Sequence, residues 1–131
     1  MATLPAPYQV LIVDDAPAVR EGLRWLLENE PDLSVVGETG DGLQALDLAA
    51  SLAPDLVILD IELPGADGFA VAQSLKASAE PPVIIFLTLH ADPHSRQRAR
   101  AAGGNGFIEK TGNWRVLLAE VRRTLANRAG S

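Results

Sequence analysis

VLIVDDAPAVR, residues 10–20, decides the fold, because a run that is apolar at every position stops on two carboxylates and a proline follows almost at once. Continuous rather than alternating apolar character is what a strand covered on both faces requires. Pro17 suits the first turn of a helix, where its missing N–H costs nothing and its ring presets φ. The stretch therefore reads as strand, acidic turn and helix, with Asp14 and Asp15 at the carboxyl end of the strand.

The same unit recurs along the chain. Leu33–Val36, Leu56–Leu59, Val83–Leu87 and Phe107–Ile108 read as further strands. Helical spacing follows each strand-like run. It is carried by Val19, Leu23, Leu26 and Leu27 before Pro31, by Leu43, Leu46 and Ala50 between Asp41 and Ser51, and by Phe69, Ala72 and Leu75 within Gly68–Lys76. A last helix starting near Asn113 carries Trp114, Leu117, Leu118, Val121 and Leu125 as one stripe. Asp92 and Pro93 form an N-cap and first-turn pair for the helix before it. That fourth helix, HSRQRARAA at 94–102, offers only alanines to a core, and a weakly anchored helix is the easiest one to shift. Strands alternating with helices throughout predict an α/β fold with a parallel sheet of five strands and five helices, in the doubly wound order 2-1-3-4-5.

Composition agrees with one domain. The chain has 131 residues, 47% hydrophobic and 21% charged, enough for one substantial core. We expect a tail over 1–7, the domain over 8–127 and a short tail over 128–131. Zero cysteines exclude disulfides and thiolate metal sites and suit a reducing cytoplasm. No stretch suggests a membrane span or a signal peptide. A formal net charge of −6 disfavours nonspecific nucleic-acid binding. The charge is unevenly spread: residues 1–90 hold 3 basic and 14 acidic side chains, residues 91–131 hold 8 basic and 3 acidic, so the two ends should face different partners.

Open α/β sheets bind ligands beyond the carboxyl ends of their strands, where strand order reverses. In the order above, Asp14, Asp15 and Asp60 crowd together there, and Thr88 and Lys110 end the next two strands. Three clustered carboxylates repel unless a cation joins them, and an all-oxygen donor set suits Mg²⁺. Phosphoryl transfer needs an in-line nucleophile and positive charge around the equatorial oxygens, and an aspartate can be that nucleophile. Asp60, alone at the tip of the third strand, is best placed to form an acyl phosphate. Asp14 and Asp15 would hold the metal, Lys110 would sit against the phosphoryl oxygens, and the Thr88 hydroxyl would donate to one of them. Taken singly, an acid pair after a strand is more often a helix cap and a lone Asp, Thr or Lys a solvated loop residue. Their coincidence at one sheet edge is what favours chemistry.

With these residues in place, the chain resembles the receiver domain of two-component response regulators over residues 8–127. VLIVDDAPAVR is similar to that family's acid-pair segment, DLVILDIELPGADGF (55–69) to its phosphoacceptor segment, and FLTLHAD (86–92) and GFIEK (106–110) to its switch and lysine segments. The resemblance implies a flavodoxin-like, CheY-like fold. It also implies phosphorylation of Asp60 by a sensor histidine kinase or phosphotransfer protein, with Mg²⁺ held by Asp14, Asp15, Asp60 and the backbone carbonyl of Glu62. Thr88 would move toward the phosphoryl group and Phe107 would rotate inward with it, reshaping the surface of the fourth helix, fifth strand and fifth helix. Such a protein is a cytoplasmic switch that assists its own phosphorylation and dephosphorylation, not an enzyme with a separate substrate. It would not bind nucleic acid itself. Homodimers through the first and fifth helices, or through the fourth helix, fifth strand and fifth helix, have precedent in the family.

REGLRWLLENEPDLSVVGETGDGLQAL (20–46) resembles the NarL/FixJ subgroup, usually fused to a LuxR-type helix-turn-helix domain. The chain reads either as a stand-alone receiver or as one cut from a transcription factor. It departs from the family at Thr111, where many members have a proline and a cis peptide, and at Leu89, larger than the usual residue and able to restrict access to an acyl phosphate. Glu62 and His90 occupy variable positions at which the family tunes dephosphorylation. Arg96, Arg98 and Arg100 with Arg115, Arg122 and Arg123 form either a docking or dimer surface or a solvated charged face. Trp25 and Trp114 are packing residues or interface anchors, packing being expected, and His94 reads as a surface residue. LDIE (59–62) superficially suggests an aspartate-nucleophile phosphohydrolase, but that group carries its acids after the first strand and adds a cap. DDAPA is not a glycine-rich nucleotide turn. A receiver-like binding module that is never phosphorylated is disfavoured by the intact set Asp14, Asp15, Asp60, Thr88 and Lys110.

Overall fold

A computed structural model describes residues 6–89, 91–111 and 113–129. His90, singled out above, lies outside the described residues. Ten main elements alternate along the chain: β1 Tyr8–Val13, α1 Pro17–Glu28, β2 Leu33–Thr39, α2 Gly42–Leu52, β3 Leu56–Asp60, α3 Gly68–Lys76, β4 Val83–Thr88, α4 Pro93–Ala101, β5 Gly106–Glu109 and α5 Trp114–Ala129. The strands form one parallel sheet in the order β2-β1-β3-β4-β5, the doubly wound CheY-like arrangement. β1 faces β3 with Val13 opposite Leu59, so the residues that follow, Asp14 and Asp60, emerge side by side.

The continuous apolar runs divide alternately between two layers, as the two-residue period of a strand demands. Val10, Ile12, Ile58, Ile85 and Leu87 face α1 and α5, meeting Leu23, Leu27, Leu117, Val121 and Leu125. Leu11, Val13, Val57, Leu59, Ile84 and Phe86 face the other three helices, meeting Ala45, Phe69, Ala72, Leu75, Ala99 and Ala102. Each fully buried large aliphatic contributes about 1.5–3 kcal/mol. The sheet centre, and with it the position of the strand ends, is therefore the best-held part of the molecule.

Several sequence expectations change in detail. β2 runs on to Thr39 rather than stopping at Val36. α2 does not turn Leu43 inward: Leu43 is 69% exposed, while Gly42 and Ala45 are buried. The reason is steric, since a Cβ on Gly42 would lie 2.7 Å from the Ala66 Cβ, so the helix approaches its neighbour through small residues. Ala50 is likewise exposed. Trp114 packs against the core as expected, but Trp25 is 72% exposed. A short antiparallel hairpin, Glu62–Leu63 with Ala66–Asp67, was not anticipated. Pro64 and Gly65 make its turn, with Gly65 at φ 71°, a value that suits glycine. No cis peptide bond occurs among the described residues, and none of their helices is long and apolar enough to cross a membrane.

Candidate functional site

Asp14 directly follows β1, Asp60 ends β3, Thr88 ends β4 and Lys110 follows β5. The structure thus brings all four to one edge of the sheet, three of them almost wholly buried: Asp14 is 0%, Asp60 1% and Thr88 1% exposed. The Lys110 ammonium reaches across, 2.7 Å from Asp14 Oδ2 and 2.9 Å from Asp60 Oδ2. Asp15 is exposed at the rim.

The two buried carboxylates are held in the same way. Asp14 Oδ1 accepts the N–H of Ala16 and Asp60 Oδ1 accepts the N–H of Glu62, each at 2.9 Å and each two residues ahead. Local backbone therefore fixes one oxygen of each group and leaves Oδ2 turned to Lys110. The capping explanation of the acid pair is only partly right. The N-cap of α1 is Ala16, which makes no side-chain cap, and Asp14 holds the turn leading into it. Arg20, unremarked in the sequence, donates to the Asp14 carbonyl at 2.6 Å and to Glu38 at 3.4 Å, tying this turn to β2.

Burial pushes the Asp60 carboxyl above its ordinary range and the Asp14 charge adds to this, against the hydrogen bonds from Lys110 and from the Glu62 N–H. For Lys110, burial works downward, but the two carboxylates outweigh it and the ammonium is held more firmly protonated than usual. One ammonium faces two buried carboxylates, with a third at the rim. Unpaired charge out of water is costly, so the corner calls for further positive charge.

A divalent cation fits that demand. One ligand oxygen from each of Asp14, Asp15 and Asp60 lies within 4.8 Å of the others. Asp14 Oδ2 is fully buried and faces Lys110 at 2.7 Å, and since a carboxylate oxygen has two lone pairs, one remains for a ligand. Hard oxygen donors of this kind select Mg²⁺ or a similar ion.

The remaining expected residues lie at the border of this corner. The Thr88 hydroxyl donates to Glu62 Oε1 at 3.2 Å. Phe107, half-buried on β5, lies beneath the guanidinium of Arg96, 4.7 Å from its ring centroid, and donates its N–H to Glu120 Oε2 at 3.2 Å. Leu89, beyond Thr88, is 57% exposed. Sequence reasoning placed Glu62 beside the site but gave neither its bond to Thr88 nor the Arg96 stack. The chain offers no signal for either beyond the proximity that strand order implies.

Comparison with known proteins follows the same lines. The family model described as response regulator receiver domain matches residues 10–122. NarP, the nitrate/nitrite response regulator protein of Escherichia coli (strain K12), is 38% identical over 116 residues, 88% of this chain and 54% of that protein. A protein-glutamate methylesterase/protein-glutamine glutaminase of Myxococcus xanthus (strain DK1622) is 41% identical over 118 residues, 90% of this chain and 33% of that protein. The crystal structure of a two-component response regulator of the LuxR family from Aurantimonas sp. SI85-9A1 matches with a TM-score of 0.87 and 30% identity, covering 93% of this chain and 87% of that one. The chain spans about half the length of NarP and about a third of the methylesterase.

Proposed function

We propose, from the premise that this chain belongs to the response regulator receiver domain family, with NarL-type regulators among its relatives, that it is a phosphoacceptor switch with Asp60 as the acceptor. Receivers of this family are typically signalling switches rather than enzymes, although some relatives are methylesterases. The observation that carries the reading is the buried Asp60 carboxylate, pinned through Oδ1, facing Lys110 through Oδ2 and flanked by Asp14.

The donor is a phosphohistidine on a sensor histidine kinase or phosphotransfer protein. An Asp60 oxygen attacks phosphorus in line; the P–O bond forms as the P–N bond breaks, and the electron pair returns to the ring nitrogen of a phosphohistidine already protonated at its other nitrogen, so the imidazole departs neutral. Lys110 moves its donors from Asp60 Oδ2 to a phosphoryl oxygen, so positive charge follows the negative charge as it develops. Asp14, Asp15, Asp60 and the Glu62 backbone carbonyl would hold Mg²⁺, which when bound supplies further neutralisation of the phosphoryl oxygens. Thr88 then donates to a phosphoryl oxygen, and Phe107 turns into the space it vacates.

That movement reaches the surface made by α4, β5 and α5. Arg96 sits on the Phe107 ring, and Glu120 of α5 accepts the Phe107 N–H, so a change at Phe107 must be felt on both helices. This surface controls a partner, a fused DNA-binding domain or a second copy; α1 with α5 is the other face for a homodimer. The domain works in the cytoplasm and does not itself touch nucleic acid. Residues 8–127 form the working unit, although α5 continues to Ala129.

Incubation with Mg²⁺ and acetyl phosphate, followed by intact mass measurement, tests the reading. One labile phosphate on the native protein and none on Asp60→Asn supports it. Persistent labelling of the variant rejects Asp60 as acceptor, and no labelling of either favours a binding module. Steady phosphate release from many small esters would favour a hydrolase.

A further inference from the structure

Glu62 sits where acceptor and switch meet. Its N–H fixes Asp60 Oδ1 at 2.9 Å, and its side-chain Oε1 receives the Thr88 hydroxyl at 3.2 Å. It begins the short hairpin that follows β3, in which Glu62 lies opposite Asp67. Thr88 is buried and β-branched, so its hydroxyl points along one of a few staggered directions rather than sweeping freely. A hydroxyl has one proton and donates it to one acceptor at a time. A phosphoryl oxygen on Asp60 and the Glu62 carboxylate therefore compete for the same proton.

We infer that Glu62 is a positioning residue whose side-chain carboxylate latches Thr88 in its resting direction and thereby sets how much of the protein is switched before any phosphate arrives. The inference rests on the reading of Asp60 as phosphoacceptor. A carboxylate is a stronger acceptor than water or a neutral group, which favours the latched state at rest. Phosphorylation adds negative charge two residues from Glu62, so the event that offers Thr88 a new acceptor also repels the old one. The latch releases when the switch is thrown.

The test compares the native protein, Glu62→Ala and Glu62→Gln by NMR, following the Thr88 and Phe107 amides with and without Mg²⁺ and beryllofluoride, a phosphoryl mimic. Both variants remove the charge, but glutamine keeps an acceptor oxygen. Without beryllofluoride, Glu62→Ala should move both resonances part of the way toward their beryllofluoride-bound positions, while Glu62→Gln, which keeps a weaker acceptor, should move them less. Glu62→Ala should also bind beryllofluoride roughly threefold to tenfold more tightly than Glu62→Gln, the effect of one net hydrogen bond on a two-state balance. Unmoved resonances in Glu62→Ala, or equal movement in both variants, would overturn the latch. A native protein that ignores beryllofluoride would overturn the reading of Asp60, and the latch with it.

Discussion

The carboxylate corner at the ends of β1 and β3 and the helix α4 beside β5 are held by opposite means. Asp14 and Asp60 are fixed by backbone donors, by Lys110 and by neighbouring strands whose side chains are wholly buried. α4 gives the core only Ala99, with Ala102 at its C-cap. Its side chains grip aromatic faces instead: Arg96 lies over Phe107 at 4.7 Å and Arg98 over Phe69 at 4.4 Å. A cation–π contact at an exposed site is worth about 0.5–1 kcal/mol, well below the contribution of one buried leucine. The strand ends are therefore held far more firmly than α4, the difference that the proposed switch requires.

The most damaging change should be Lys110→Met. It leaves Asp14 and Asp60 buried together without their cation, and removing one partner of a buried ion pair costs about 3–5 kcal/mol. Urea unfolding should show a loss in that range, reduced in acid, where a carboxyl can take up a proton. A loss below about 1 kcal/mol at neutral pH would mean that the corner is more solvated than its burial indicates.

Asp60→Asn should act in the other direction. Because burial and Asp14 raise the Asp60 carboxyl, the folded state binds its proton more tightly than the unfolded chain does. The stability this contributes is fully present below the unfolded value and is lost as pH rises through the folded one. Asparagine cannot ionise, so the variant should be more stable than the native protein at neutral pH, with the gap closing toward pH 4. Thermal unfolding across that range checks it, and a gap that widens on acidification would reverse the assignment. Mg²⁺ should narrow the neutral-pH gap by stabilising the native protein more than the variant.

Smaller effects are expected on α4. Arg96→Ala and Arg98→Ala should each lower global stability by about 1 kcal/mol or less, yet speed hydrogen exchange across 93–101 several-fold while β1 and β3 exchange as before. The two should also differ. Arg96→Ala alone should alter the environment of Phe107, since Arg98 rests on Phe69 of α3. Equal protection of α4 in both variants and the native protein would remove the distinction between the two regions.

The rigid region was also the legible one. Runs apolar at every position mark strands buried on both faces, and once the strand order is known the residues that end them must converge. Asp14, Asp60, Thr88 and Lys110 were therefore readable before any side chain was placed. The soft region depends on contacts between elements that no local pattern encodes. Arg96 and Arg98 read as part of a charged face because their aromatic partners lie elsewhere in the chain. Leu43 contributes to the helical spacing of α2 without fixing which way it faces, and the close approach of Gly42 leaves it outward. The hairpin at 62–67 has no sequence signal because two residues per strand carry no periodicity, and the Glu62–Thr88 bond joins residues 26 apart that no local pattern relates.

Hydrogen exchange with Mg²⁺ and beryllofluoride, on the native protein and on Asp60→Asn, bears most directly on the link between the two regions. The native protein should show altered exchange in α4, β5 and the start of α5, unchanged exchange in β1 and β3 beyond their last residues, and no response once Asp60 is asparagine. A response confined to the carboxylate corner, or one that survives in Asp60→Asn, would contradict the conclusion that chemistry at Asp60 is transmitted to the α4 surface.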